Sequence, residues 1–438
     1  MATLARRVGL GLAARGDVAD TVKWAERARS AGLESIWFHD SYFERDAVTY
    51  ATAVAAQVED LGIGLGALNP FTRHPVLIAM TISALDEIAP QRIRLGLGSA
   101  LPLRLGQMGI PYAPEDAVRR SSEAIDTLHT LWKGERMPSG KPGLPPLQPM
   151  FPPVHRVPIY VAGYRSPVMV LAGQKGDGYL ARPAESIPGL RKLLRVMNKA
   201  AREAGRDPND IDVAGYLLTL IGDTRLDALN RAKREPFVIY MMSILSDVTL
   251  KRAGFEPQLR DHIAAAWRKE DYTTAGGLIP DDLLDAFILC GTRREVADRA
   301  WEYHEAGMRL PLLQPVVQDE DQVSAVLEAA VAYGTAEGAR SGRARRSGRS
   351  GRARPRACAI ASVRPGRSRD RSRSPPLPCR SPSGVRLPRS RASSTGRSSW
   401  CRCSRSCCCT SARTSRTRSM TCARAWTRSY RRARATPS

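Results

Sequence analysis

Residues Gly64 to Met80 read GLGALNPFTRHPVLIAM. Small and apolar residues run to Leu68, Asn69-Pro70 stops them, and Pro75 opens a second apolar run. Proline has no N–H and a fixed φ, so Pro70 cannot continue a buried strand, whereas Pro75 suits the first position of a helix. The stretch therefore predicts a strand, a tight corner, and a helix from Pro75 to Ile88. A plain connection rarely holds Asn69, Thr72, Arg73 and His74 between two rigid prolines. So many hydrogen-bonding types at one corner mark it as a surface with a task.

The same change of period recurs along the chain. Buried strands are predicted in RRVGLGLAA (6–14), LESIWFHD (33–40), LGIGLGALN (61–69), RIRLGLGS (92–99), VPIYVAG (157–163), DGYLA (177–181), DVAGYLLTLIG (212–222) and LPLLQPVV (310–317). Helical segments separate them. Asp17 caps the first, with Val18, Val22, Ala25 and Ala28 on one face and Gly32 at its end. Others run from Pro114 to Trp132 and from Asp319 to Tyr333. Near-continuous apolar strands are what a parallel sheet covered on both faces requires. Eight strand–helix units in about 330 residues predict an α/β fold, a (β/α)₈ TIM barrel.

Two stretches exceed ordinary loop length: the Pro- and Gly-rich Lys133 to Arg156, and a helical insertion, Arg231 to Leu289, before the last strand. Long insertions at the catalytic face of a barrel shape its pocket, so both are expected there. In such a barrel chemistry sits where strands meet the following helices. That places Asp40 and Ser41, Asn69 to His74, Gly98 and Ser99, and Gly163 to Ser166 around one mouth.

Composition divides the chain at residue 334. From Thr335 onward there are 28 Arg, no Lys, and only Glu337 and Asp370 as acids, a net charge of +26. The whole chain carries +24, which leaves about −2 for residues 1–334. Eight of the nine cysteines also lie beyond 334, leaving Cys290 alone before it. Basicity is therefore no nucleic-acid signal for the first part, and a single cysteine there points to a reducing, cytoplasmic compartment. The apolar run after Arg6 and Arg7 stops at Arg15, too soon for a signal peptide, and no segment approaches the roughly eighteen apolar residues of a membrane span.

Residues 335–438 are built from Arg, Ser, Pro, Ala, Gly and Cys and hold too few large aliphatics for a core, so a disordered tail is expected. An Arg/Ser-rich nucleic-acid arm is one reading of it. All six residue types have G/C-heavy codons, however, and the absence of lysine favours a frameshift or read-through product. Other signals fail: neither LGLGSA nor GLGLAARG completes Gly-x-Gly-x-x-Gly. The six histidines show no metal spacing, so no metal is expected. A Gly-x-Ser-x-Gly elbow is absent.

NPFTRHP, LDEIAPQRIRLGLGSA, AGYRSPVMVLAGQKGDGYL and GTRREVADRAWEYHEAGM, taken in order over about residues 7–334, resemble the bacterial luciferase-like monooxygenase superfamily. They are most similar to its deazaflavin-dependent, methylenetetrahydromethanopterin reductase-like branch. The resemblance implies a barrel holding coenzyme F420, or alternatively FMN, at the C-terminal face, a small-molecule substrate and a homodimer. It also implies a non-prolyl cis peptide in the bulge at Gly66-Ala67-Leu68, between Gly66 and Ala67, against which the ring stacks. Gly163, Tyr164, Arg165 and Ser166 would take the phosphate end, at a helix N-terminus whose free N–H groups favour an anion. The turn around Gly176, Asp177 and Gly178 would serve packing and sometimes phosphate contact.

Asp40 matches a family aspartate that contacts the ring system. The following position, often histidine in characterised reductases, is Ser41, which weakens a mechanism that needs an imidazole there. His39, one residue from Asp40, is expected to point away from the pocket. His74 is the remaining polar candidate beside the ring, Asn69, Gly98 and Ser99 complete the ring site, and Glu123 is expected to be structural. These readings leave three functions in play: a hydride-transferring F420-dependent oxidoreductase, an FMN-dependent monooxygenase, and a catalytically silent flavin-binding barrel. A nucleic-acid binder acting through the tail is a fourth.

Overall fold

The computed structural model describes residues 4–41, 44–99, 102–149 and 151–335. Eight parallel strands close into a barrel: β1 (Gly9–Ala13), β2 (Ser35–His39), β3 (Gly62–Leu68), β4 (Ile93–Gly98), β5 (Ile159–Ala162), β6 (Gly178–Ala181), β7 (Asp212–Ile221) and β9 (Leu310–Pro315). Neighbours pair in chain order, and β9 closes the ring between β7 and β1. A short extra strand, β8 (Leu289–Gly291), pairs with the far end of β7 at Thr219 to Ile221, beyond the part that β6 occupies. The predicted strands all form. The additional β8 arises because β7, ten residues long, outreaches its neighbour β6.

The barrel axis is filled by alternating absent and large side chains. Trp37, Tyr160, Leu180, Ala214, Tyr216, Leu310 and Leu312 form one buried cluster inside it. Trp37 meets Tyr160 edge-to-face, with ring centroids 5.2 Å apart. Room for the indole comes from Gly64, where an added Cβ would lie 2.0 Å from Trp37 Cδ2. Gly11 makes similar room for Tyr216, whose Cδ1 would be 2.8 Å from an added Cβ. The glycines predicted as parts of strands are therefore the empty half of an interdigitated interior.

The N-terminal end of the barrel is sealed by charge. Arg7 pairs with Glu34 at 2.6 Å and with Asp212 at 2.8 Å, Arg94 reaches Glu34 at 2.8 Å, and the Tyr160 hydroxyl donates to Asp212 at 2.8 Å. The cavity lined by the strand ends lies at the opposite, C-terminal end. The turn around Asp177 lies at the sealed end, before β6 begins. There the Asp177 carboxylate accepts from the Ile159 N–H at 2.8 Å, a packing role.

Helices surround the strands: α1 (Val18–Ser30), α2 (Ala47–Gln57), α3 (Pro75–Ile88), the short α4 (Pro102–Gln107), α5 (Pro114–Trp132), α6 (Ser166–Lys175) and α7 (Ile187–Glu203). Thr21, Trp24, Ala25 and Ala28 are the buried face of α1, while Val18 and Val22 are only partly buried against the core. After β7 come α8 (Arg225–Arg234), α9 (Pro236–Ser243), α10 (Asp247–Ala253), α11 (Pro257–Arg268), α12 (Tyr272–Gly277) and α13 (Asp281–Phe287), the predicted helical insertion. These helices bury a core of their own, including Val238, Met242, Leu250, Ile263 and Leu283, beside the end of β7. The last two helices are α14 (Arg293–Glu305), which begins with a capping box of Thr292 and Glu295, and α15 (Glu320–Gly334).

The segment from Lys133 to Arg156 is not at the mouth. It leads from α5 into the start of β5, and α5 returns the chain to the N-terminal end of the barrel. His155 is tied there through its N–H to Asp86 near the end of α3, at 2.9 Å. The expectation that both long insertions shape the pocket therefore holds for the helical one alone. Among the described residues no helix is long and apolar enough to cross a membrane. The predicted tail lies outside the described residues from 336 onward.

Candidate functional site

At the C-terminal mouth lies a cavity of about 780 Å³, in the size range of small-molecule and cofactor sites. Its floor is where β3 stops being regular. Pairing of β3 with β4 shifts register between Leu65 and Leu68, and the Gly66–Ala67 peptide is cis, at the position the resemblance implies. The Tyr216 hydroxyl donates to the Gly66 carbonyl at 2.9 Å and fixes this bulge to the opposite side of the barrel. Gly98 lies alongside: an added Cβ would be 3.0 Å from Ala162 Cβ and 3.5 Å from Ala67 Cβ. Gly66, Ala67, Gly98 and Ala162 all line the cavity, and together they form a ledge with no side chain larger than methyl.

The structure brings most of the sequence-predicted residues to this one space. Asp40 and Ser41 after β2, Asn69 after β3, Ser99 after β4, and Gly163, Tyr164 and Arg165 after β5 all line the cavity. Asn69 is 1% exposed, and its Oδ1 accepts the Phe71 N–H at 2.8 Å, which stiffens the corner quoted at the outset. Thr72 and Arg73 turn through hydrogen bonds to the Asn69 carbonyl, at 3.1 and 2.9 Å. Arg73 then pairs with Asp46 and lies 3.9 Å from Asp40. The polar corner thus braces the aspartate more than it faces the cavity.

Three expected contacts are not found at the cavity wall. Leu68 is fully buried and belongs to the main hydrophobic core, because the strand period turns it away from Ala67's side. His74 is exposed and caps α3, its Nδ1 accepting the Val76 N–H at 3.2 Å. An Ncap side chain is folded back on its own helix, which takes the imidazole out of the site. Ser166 is exposed as the first residue of α6. Glu123, as expected, is structural, in a surface pair with Arg119.

His39 corrects the sequence reading in the other direction, since it lines the cavity. Trp37 fills the barrel axis, so residue 39 shares its inward parity, and Asp40 reaches the mouth because the strand has already ended. The His39 ring meets Tyr216 edge-on with centroids 6.0 Å apart, and its Nε2 is buried without a hydrogen-bond partner among the described residues. Burial pushes the imidazole pKa down to about 4, against a smaller opposing effect of Glu44. Burial likewise raises the Asp40 carboxyl above its usual range, with Arg73 pulling the other way.

Three residues of the wall escaped sequence reasoning, and the expected helical insertion supplies the cover. Tyr216 comes from the middle of β7. Gln314, 3% exposed and with its Oε1 unpartnered among the described residues, comes from β9, and Arg182 follows β6. Phe237, Tyr240, Met241 and Ile244 hang over the cavity from α9 and its C-terminal end. One signal was available: a lone amide within LPLLQPVV is a polar residue in a strand otherwise built for burial.

The family model described as luciferase-like monooxygenase matches residues 1–310. A 5,10-methylenetetrahydromethanopterin reductase of Methanolobus tindarius is 28% identical over 288 residues, which cover 65% of this chain and 86% of the reductase. The solved coenzyme F420-dependent tetrahydromethanopterin reductase of Methanopyrus kandleri superposes with a TM-score of 0.66 at 23% identity, over 75% of this chain and 98% of that one. The oxygenating constituent of 3,6-diketocamphane monooxygenase of Pseudomonas putida, solved with FMN, superposes with a TM-score of 0.55 at 20% identity, over 75% and 97%. The match spans more than half of the chain and includes the cavity-lining residues from His39 to Ile244. The chain belongs to the luciferase-like monooxygenase family.

Proposed function

We propose that this enzyme is a coenzyme F420-dependent oxidoreductase, acting on a small organic substrate. The observation that carries the reading is the ledge of Gly66, Ala67, Gly98 and Ala162, a flat and side-chain-poor surface beside a polar rim. The similarity to methylenetetrahydromethanopterin reductases, of which the solved Methanopyrus kandleri enzyme is coenzyme F420-dependent, favours the deazaflavin. That cofactor, when bound, supplies hydride transfer at its ring carbon.

The chain's own residues supply orientation and dryness. Asp40, Ser41 and Ser99 border the ledge and suit the polar edge of a tricyclic ring, and Asn69 stiffens its end. The N–H groups at the start of α6, with Arg165, suit the cofactor's phosphate. Phe237, Tyr240 and Met241 cover the cavity with apolar surface and exclude water from the reacting centre.

Asp40, whose carboxyl burial holds above its usual range, is the group we assign to proton handling at its Oδ atoms. His39 is neutral at pH 7 and too weakly basic to store a proton, so it serves as a hydrogen-bonding wall for the substrate.

A second reading, an FMN-dependent monooxygenase, draws on the superposition with the FMN-bound camphane enzyme. Parallel reconstitution with coenzyme F420 and with FMN tests the choice. Turnover with reduced F420, without oxygen consumption, is expected. Tight FMN binding with oxygen uptake, and no F420 turnover, would overturn the first reading in favour of the second.

A further inference from the structure

One cation in the cavity wall has no place in the ring site. Arg182 stands two positions beyond Leu180, whose side chain is inside the barrel, so the strand parity turns it toward the mouth. Its guanidinium lies over the Tyr164 ring, 4.0 Å from the centroid, and its Nη2 donates to Thr249 Oγ1 at 2.7 Å. The Tyr164 platform is held in turn by Arg252, which donates to the Tyr164 carbonyl at 2.8 Å. The guanidinium is therefore positioned from two sides.

It is not satisfied. Arg182 Nε is buried without a hydrogen-bond partner among the described residues. The nearest carboxylate, Glu185, comes no closer than 3.8 Å, beyond hydrogen-bond reach. Glu185, 3% exposed, sits at ion-pair distance from Arg182, and burial raises its carboxyl while Arg182 and Arg252 pull it down. An arginine that lines a cavity and keeps unused donors is not explained by packing alone. The wider balance agrees: the described lining holds Arg104, Arg165 and Arg182 against one carboxylate, Asp40. Such an excess in a largely apolar cavity attracts negative charge.

We propose that Arg182 is an anion anchor, taking a carboxylate or phosphate oxygen of the molecule in the cavity. The planar fork of a guanidinium suits both groups. The inference rests on the reading of this cavity as a cofactor-and-substrate pocket, and it adds an acidic ligand group to that reading. Two sources present the same chemistry: an acidic substrate, or the phosphate end of the cofactor.

The test uses the full chain and its R182Q and R182K variants. Inorganic phosphate is titrated calorimetrically into the protein with and without bound cofactor, and FMN is compared with riboflavin, which lacks the phosphate. R182Q is expected to weaken phosphate binding by about tenfold or more, with R182K in between, at matched melting temperatures. If R182Q does not fold, R182K, which keeps the charge but not the fork, reads the same contact as an affinity several-fold below the parent.

A loss for FMN but not riboflavin supports the anchor and assigns it to the cofactor. A loss of phosphate binding in the cofactor-loaded enzyme, with both flavins bound normally, supports it and assigns it to the substrate. Binding of neither FMN nor F420 by the parent would defeat the oxidoreductase reading, while phosphate binding that still depends on Arg182 would uphold the anchor. Phosphate binding equally tight in parent and R182Q, or no saturable binding by the parent, would overturn it.

Discussion

The hydroxyl of Tyr216 and the carbonyl of Gly66 meet at 2.9 Å across the barrel mouth, although 150 positions separate them in the chain. Tyr216 is 2% exposed, and burial holds its phenol far above the usual pKa, so it acts as a hydrogen-bond donor at every accessible pH. Tyr216→Phe removes the donor and leaves a buried carbonyl unpaired. A loss of about 1–2 kcal/mol in urea unfolding is expected, with weaker cofactor binding. Unchanged unfolding and unchanged binding would show that the bulge does not depend on this contact.

Gly66 tests the ledge by addition. A Cβ there would fall 2.6 Å from Leu180 Cδ2, 2.8 Å from the Tyr216 hydroxyl and 2.9 Å from Trp37 Cε3. Two of these neighbours are packed aromatics, so the backbone must shift instead. Gly66→Ala should cost about 1–3 kcal/mol and reduce cofactor affinity more than a surface substitution does. Cofactor titration beside thermal unfolding separates the two effects.

His39 predicts a pH dependence. Its folded-state pKa, about 4, lies below the ordinary 6.5, so between these values the unfolded chain binds the extra proton. Stability from this residue is complete above about pH 6.5 and is lost as pH falls toward 4. His39→Gln should flatten that slope, by on the order of 1–3 kcal/mol between pH 7 and pH 4.5. Urea midpoints of both proteins at the two pH values decide it, and parallel slopes would rule the histidine out as the source.

The end of the barrel predicts tolerance of truncation. Arg6 donates through Nη1 to the carbonyls of Tyr333 and Thr335 at 2.7 and 2.8 Å, and its N–H donates to the Gly334 carbonyl at 3.1 Å. These bonds, together with a cation–π contact of 4.4 Å to Trp301, finish α15 within the described residues. A chain ending after Thr335 should melt within about 2 °C of the full chain and bind cofactor equally. A large fall would mean that residues beyond 335 contribute to the fold. Comparing DNA binding of the two forms across salt concentrations tests the nucleic-acid reading of the tail.

The barrel was legible because its signals are local. GLGLA and GIGLGAL are apolar on both faces, IRLGLG departs from this at Arg94 alone, and prolines at the first helical positions mark where α3 and α5 begin. Strand ends could be read for the same reason, so Asp40, Asn69, Gly98 and Gly163 could be placed at one mouth from order alone. The place of Lys133–Arg156 was legible in the same way: it follows the helix Pro114–Trp132 and precedes the strand at Ile159, and a helix-to-strand connection in such a barrel lies at the N-terminal end. The expectation that it shapes the pocket weighed its length and passed over that order.

The sequence by itself determined the alternation of strand and helix, the side-chain-poor third strand, and the corner from Asn69 to Pro75, because φ restriction and period act between near neighbours. Which parity of each strand faces the axis was decided only in three dimensions. Trp37 occupies the space that Gly64 leaves, and that contact between strands turns His39 into the cavity rather than away from it. Arg182, Tyr216 and Gln314 likewise converge through barrel closure, which joins residues far apart in the chain and leaves no mark on the spacing within any one segment.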